Sequence, residues 1–158
     1  MKKLLSSAFV IAVISVSAYG QSKSPPLIGV WRVTERTESP NAPINRSPQP
    51  GLFIFAQGYY SIMVVTGDKP RPALPQDVSK ATVEELLSVW RPFTANAGTY
   101  EIKGDIVTTH PIVAKVMRPG GRATIKFETE GNTLTLTQVA EDDVPVSNPT
   151  SIKLTRVE

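Results

Sequence analysis

The chain has 158 residues with 17 basic and 14 acidic side chains, one histidine, no cysteine and 41% hydrophobic residues. That length suits one domain. The missing cysteine excludes disulfides, thiolate metal sites and a lipid-modified cysteine. The N-terminus has the three-part pattern of a secretory signal. Lys2 and Lys3 precede an apolar stretch over residues 4–16, and Ala18-Tyr19-Gly20 offers small residues where a signal peptidase reads. The pattern predicts a signal peptide over residues 1–20, with the mature chain starting at Gln21. The apolar stretch is shorter than the ~20 residues a spanning helix needs, so no stable membrane insertion is expected after cleavage. The mature chain keeps 15 basic and 14 acidic groups. It has no positive excess for a phosphate backbone, which argues against a nucleic-acid partner. The expected product is exported, periplasmic or extracellular.

Residues 21–26 are polar, end in Pro25-Pro26 and form a short tail; residues 27–158 form one domain. Short strand-like runs then follow at about 30–37, 51–56, 59–66, 97–103, 106–114, 122–130, 133–139 and 150–157. In the first run Glu35 and Thr37 share the phase of Trp31 and Val33, which points them inward. An inward carboxylate is costly without a partner, so Glu35 is either paired or ligand-facing, unless a bulge turns it to solvent. The proline-rich residues 38–50 follow as a stiff loop. As a lid, this loop would reach ligand with Ile44 and Arg46.

Three glycine-containing pairs fit two-residue hairpin loops: Gln57-Gly58, Gly104-Asp105 and Gly131-Asn132. Such loops fix the cross-strand pairs. They predict Phe55 opposite Tyr60, Phe53 opposite Ile62, Ile102 opposite Val107, Phe127 opposite Leu136 and Thr129 opposite Leu134. In all three hairpins the apolar residues share one face. His110, paired outward from Gly104-Asp105, falls opposite Thr99 on the outer face; a loop one residue longer would send it inward. Between the third and fourth strands, Thr82 and Glu85 fit a capping box. Val83, Leu86, Leu87 and Trp90 follow at helical spacing, and Pro92 ends the helix near Arg91. About ten residues are too few for a stable isolated helix. The stripe is therefore expected to dock on the sheet or cap the barrel, with Trp90 in the core.

Eight antiparallel strands with one apolar face can close into a barrel or split into a sandwich; periodicity does not choose. Gly29-Val30-Trp31 resembles the Gly-x-Trp start of lipocalins and related calycin barrels. Leu27-Ile28-Gly29-Val30-Trp31, Pro50-Gly51-Leu52-Phe53-Ile54-Phe55, Gly58-Tyr59-Tyr60-Ser61 and Ala97-Gly98-Thr99-Tyr100-Glu101 together resemble the bacterial lipocalin-like domain family. The resemblance implies an all-β, eight-stranded, up-and-down antiparallel barrel with one short helix between its third and fourth strands. It also implies a closed end where Gly29 and Trp31 sit beneath a basic residue of the last strand. Arg156 is in phase with Ile152 and Leu154 and meets that expectation. This chain departs from the family at Asn96-Ala97, where an aromatic often stands, and at His110-Pro111-Ile112, where Glu-Gly often follows the histidine.

The expected interior is strongly apolar, so it is either a filled core or a pocket for a small apolar or amphipathic molecule. Glu35, Thr37, Phe55, Tyr60 and Tyr100 are the candidate ligand-facing residues, with the two phenols as polar handles. One histidine without cysteine falls short of the three or four ligands zinc needs. No Ser-His-Asp order, phosphate loop or paired-carboxylate motif is present, and no cofactor is implied. Three functions remain: a binding barrel; an isomerase or cyclase acting on a hydrophobic substrate through Glu35, Tyr60 or Tyr100; or an envelope interaction protein with a filled barrel.

Overall fold

A computed structural model describes residues 27–116 and 120–157. The expected signal peptide and polar tail lie outside the described residues. The strands are β1 (Gly29–Thr37), β2 (Gly51–Ala56), β3 (Tyr59–Val65), β4 (Phe93–Lys103), β5 (Ile106–Ala114), β6 (Ala123–Glu130), β7 (Thr133–Glu141), β8 (Val144–Pro145) and β9 (Ser151–Arg156). One helix, α1 (Val83–Trp90), lies between β3 and β4. Each strand from β1 to β7 pairs antiparallel with the next, β9 pairs with both β7 and β1, and β8 is a short hairpin appendage on β7. The eight long strands therefore close into a barrel, and closure removes the sheet edges.

All three glycine turns close as two-residue loops. Ala56 pairs with Tyr59, Lys103 with Ile106 and Glu130 with Thr133. The glycines at 58, 104 and 131 have φ of 76°, 65° and 54°, a region that costs a side chain energy. The five cross-strand pairs expected from these turns are all present. The three tight turns lie at one end of the barrel. The long connections, residues 38–50, 66–92, 115–116 with 120–122, and 142–150, lie at the other.

The turn end is sealed around Trp31, which has no exposed surface. Its indole Nε1–H donates to the Leu27 carbonyl at 2.8 Å. The Arg156 guanidinium sits 4.1 Å from the indole centroid, and its Nη1 donates to the Ile28 carbonyl at 2.7 Å. The cation gains from the ring's negative face while one of its donors is held by the Ile28 carbonyl. Leu27, Val107, Leu134 and Leu154 fill the space beside it. Phe55 and Tyr100 meet edge to face at 5.5 Å between centroids.

The barrel's regular alternation breaks three times, each time toward the loop end. On β1 the register shifts between Val33 and Glu35, leaving Thr34 as the extra residue opposite β9. On β5 the extra residue is Ile112, opposite the Ala97–Gly98 step. On β7 it is Val139, opposite the Thr124–Ile125 step. Each bulge moves the strand beyond it out of phase by one residue.

The helix ends are as expected. Thr82 Oγ1 accepts from the Glu85 N–H at 3.2 Å, and Glu85 Oε2 accepts from the Thr82 N–H at 2.7 Å. The expected docking of its apolar stripe does not occur. Val83 is 73% exposed, Trp90 is 50% exposed, and no residue of α1 is buried. The helix is held at its C-terminal end instead. Lys115 donates to the carbonyls of Trp90 and Phe93 and lies over the Trp90 ring. A cation at a helix C-terminus satisfies carbonyls that have no helical partner.

The loop end has a second pin. Asp142 and Asp143 both have positive φ (48° and 67°) and form the two-residue turn between β7 and β8. The Asp142 carboxylate accepts the N–H groups of Gly121 and Arg122 at 2.9 and 2.8 Å. These bonds hold its pKa below the usual aspartate range. A depressed folded pKa stabilises the protein above that range, and the stabilisation disappears as pH falls through the folded value. Asp142→Asn keeps the tolerated left-handed backbone and removes the charge. It is expected to melt below the wild type at pH 7, with the difference closing as the pH falls through the depressed folded pKa. Thermal melts across that range check it; a constant difference would mean that the ionised form is not what holds the loop.

Candidate functional site

The inside of the barrel is divided by depth. Its turn-end half is packed with the Trp31 cluster. Its loop-end half contains a cavity of about 510 Å³, within the range of small-molecule sites. The apolar wall is Phe53, Ile62, Val64, Ile125, Leu136 and Ile152. These come from five strands, each placing inward residues at period two.

The polar lining, which includes Arg36, Thr109, Lys115, Gln138 and Glu141, mostly comes from positions the sequence did not single out. Tyr60 is buried, and its hydroxyl partners Thr109. Burial raises its pKa, with the Thr109 hydrogen bond opposing, so the phenol stays neutral and can donate or accept. Asn96 stands in register with Ile62 on one side and Ala114 on the other. Its side-chain oxygen is buried and has no hydrogen-bond partner among the described residues. Gln138 faces Ile125 across the β6–β7 pair. At the lip, Arg36 forms a two-point ion pair with Glu38, at 2.6 and 3.2 Å.

Arg36 replaces the residue expected there. The bulge at Thr34 puts Glu35 opposite Lys153 and Thr37 opposite Ser151, both on the outer face, and puts Arg36 opposite Ile152 on the inner one. Thr34 Oγ1 donates to the Lys153 carbonyl at 3.2 Å and anchors the bulge. The inward placement of Glu35 and Thr37 is therefore corrected. Glu35 lies 4.0 Å from Arg46 on the outside wall.

The other candidates divide by height. Tyr60 reaches the cavity, but Phe55 and Tyr100 stand below it in the packed half. Burial raises the Tyr100 pKa, and its hydroxyl donates to the Ala56 carbonyl at 2.9 Å. Its polar end is thereby used by the hairpin. Gly29, Trp31 and Arg156 come together at the closed end. His110 faces outward opposite Thr99, with its Nε2 3.3 Å from Glu101 Oε1. Neither Ile44 nor Arg46 lines the cavity, because residues 38–50 fold along the outer wall after Asn45 pairs with Arg36.

The β5 bulge also shapes the space. Without it, Val113 would continue the inward phase of Val107, Thr109 and Pro111. With it, Ile112 and Val113 are 66% and 61% exposed, and the smaller Ala114 lines the cavity. The space above Asn96 is thus kept open by a one-residue insertion.

No helix among the described residues is long and apolar enough to cross a membrane. No curated protein matches the chain. The family model described as a lipocalin-like domain matches residues 28–152, which include the first seven strands whole and the first two residues of β9. A closed eight-stranded barrel, sealed by a tryptophan under an arginine and matched over most of its length, belongs to the lipocalin-like domain family.

Proposed function

We propose that this protein is an exported binding barrel that holds one small apolar or amphipathic molecule in the loop-end cavity. The observation that carries the reading is the cavity itself: about 510 Å³ of space, walled by aliphatic and aromatic side chains, above a fully packed base. A filled barrel would have no such space. Apolar walls supply affinity in proportion to the area they remove from water. Tyr60, Asn96 and Gln138 supply polar contacts that orient a ligand, and Arg36, Lys115 and Glu141 add charged groups to the lining. Of the three groups considered as acid or base, Glu35 lies outside, Tyr100 is tied to Ala56 and only Tyr60 faces the cavity. Binding therefore accounts for the geometry better than catalysis does. Export rests on Lys2, Lys3 and the apolar residues 4–16.

Native mass spectrometry of the protein recovered from expressing cells tests both parts. The reading expects a chain beginning at Gln21 and a discrete added mass lost on denaturation. The neutral fluorescent probe N-phenyl-1-naphthylamine should bind the emptied protein. Ala123→Leu, which grows a side chain from the cavity wall, should weaken that binding tenfold or more. Probe binding that ignores Ala123→Leu would place the site elsewhere and remove the proposal.

A further inference from the structure

The outer wall has a second recess, which meets the interior cavity only at Val64 and Phe93. Arg32, Leu52, Met63 and Ala95 stand side by side across β1 to β4. This row faces outward, because the neighbouring rows of Trp31, Phe53 and Ile62 face in. Leu52 and Met63 therefore place an apolar floor on the solvent side of the barrel, and Met63 is 40% exposed. Residues 46–50 wall one side of the recess, stiffened by Pro48 and Pro50, and Phe93 walls the other. The open groove measures about 700 Å³.

Three guanidinium groups line this groove, from three separate segments. Arg32 comes from β1, Arg46 from the proline-rich loop and Arg71 from the β3–β4 connection. Arg71 is placed by the Phe93 ring, 5.0 Å from its centroid. Glu35 stands 4.0 Å from Arg46 but is not part of the lining, so the lining is net positive. Guanidinium groups bind carboxylate, sulfonate and phosphate through paired N–H donors. An apolar floor under such a cluster suits a molecule with both characters.

We infer that this groove is a second binding site, for a small amphipathic anion with an apolar body and one acidic head. The groove's volume is that of a small-molecule site, and its walls are pre-stiffened, which lowers the ordering cost of binding. The groove opens on the outer wall, since Arg32, Leu52 and Met63 point away from the cavity that Phe53 and Ile62 line, while Val64 and Phe93 border both spaces.

The probe is 1-anilinonaphthalene-8-sulfonate, titrated calorimetrically in low salt with N-phenyl-1-naphthylamine as the neutral comparison. The sulfonate is expected to bind and to weaken as salt rises, because the contact is exposed and screened. Arg32→Gln with Arg71→Gln should weaken it at least tenfold and leave the neutral probe unchanged. Met63→Glu, which puts a carboxylate on the floor, should abolish sulfonate binding while circular dichroism stays that of the wild type. Ala123→Leu should change sulfonate binding less than twofold. The inference is overturned if Ala123→Leu removes the sulfonate and the arginine pair does not, since the anion then sits inside the barrel. It is equally overturned if the sulfonate fails to bind while vesicles containing phosphatidylglycerol retain the protein through Arg32 and Arg71, since the groove is then a membrane contact. Arginine-dependent sulfonate binding without neutral-probe binding would uphold the groove and count against the interior site alone.

Discussion

Gly98→Ala is expected to destabilise the barrel by about 3 kcal/mol or more, at the upper end of what overpacking costs. A Cβ at this position would lie 2.0 Å from the His110 carbonyl oxygen and 2.8 Å from both the Ile112 nitrogen and the Pro111 Cα. All three neighbours are backbone, so none can rotate away. The contact exists because β5 bulges at Ile112 and its backbone swings toward β4. Two other glycines calibrate the effect. At Gly51 the nearest atom is 2.6 Å away but belongs to the Val33 side chain. Gly58 has open space and only a φ of +76° to strain, so Gly58→Ala should cost about 1 kcal/mol. Urea unfolding should show a lower midpoint at unchanged slope, with Gly98→Ala well below the other two. Equal midpoints for Gly98→Ala and Gly58→Ala would sink the argument. Because the same bulge keeps Val113 outside, any Gly98→Ala protein that folds should also bind the neutral probe less well.

The second large effect is at the closed end. Trp31→Ala should cost about 3–5 kcal/mol, from lost burial and the cavity left behind. Marginal stability makes that a large fraction of the total for a domain of this size. Trp31→Phe should cost less, chiefly by leaving the Leu27 carbonyl without its indole donor. Arg156→Met and Trp31→Leu together should show a coupling of about 0.5–2 kcal/mol if the guanidinium over the ring contributes as a cation. Trp90 is half exposed, so a Trp90→Phe background leaves Trp31 as the fluorescent reporter for the Arg156 and wild-type forms. Calorimetric midpoints follow the Trp31 variants. A Trp31→Ala protein within 1 kcal/mol of wild type would mean that the plug does not hold the base together.

How much of this was legible in the sequence depends on what fixes each part. The closed end was readable because glycine turns of two residues leave no freedom in pairing. Gln57-Gly58, Gly104-Asp105 and Gly131-Asn132 set three hairpins, and the registers of Phe55 with Tyr60 and Phe127 with Leu136 followed from them. Trp31 and Arg156 were readable through a motif and a phase. The cavity was not readable, because a bulge reverses which residues face inward, and the one at Thr34 carries no glycine or proline signature. Counting alternation through Thr34 gives Glu35 inside; counting across the bulge gives Arg36. The start of β4 was missed for a different reason. Phe93–Asn96 looks weak as a strand alone, and its partner supplies the pairing, with Val65 opposite Phe93 and Ile62 opposite Asn96. The helix gave both of its ends and not its destination. Its capping box is local chemistry, whereas its position depends on Lys115, a residue far along the chain.

The ends of the described domain meet at the sealed base. The Val157 N–H donates to the Val30 carbonyl at 2.7 Å, and the Arg156 N–H donates to Asn132 in the turn beside it. Entry and exit of the chain are therefore neighbours, on the side opposite the opening. A tether, tag or fused protein attached at either end hangs from the base and leaves the mouth facing away from it. The same proximity makes the barrel a natural subject for circular permutation. A short link could join the old ends, and the new ones could open in any of the long connections, where no barrel hydrogen bond would be cut.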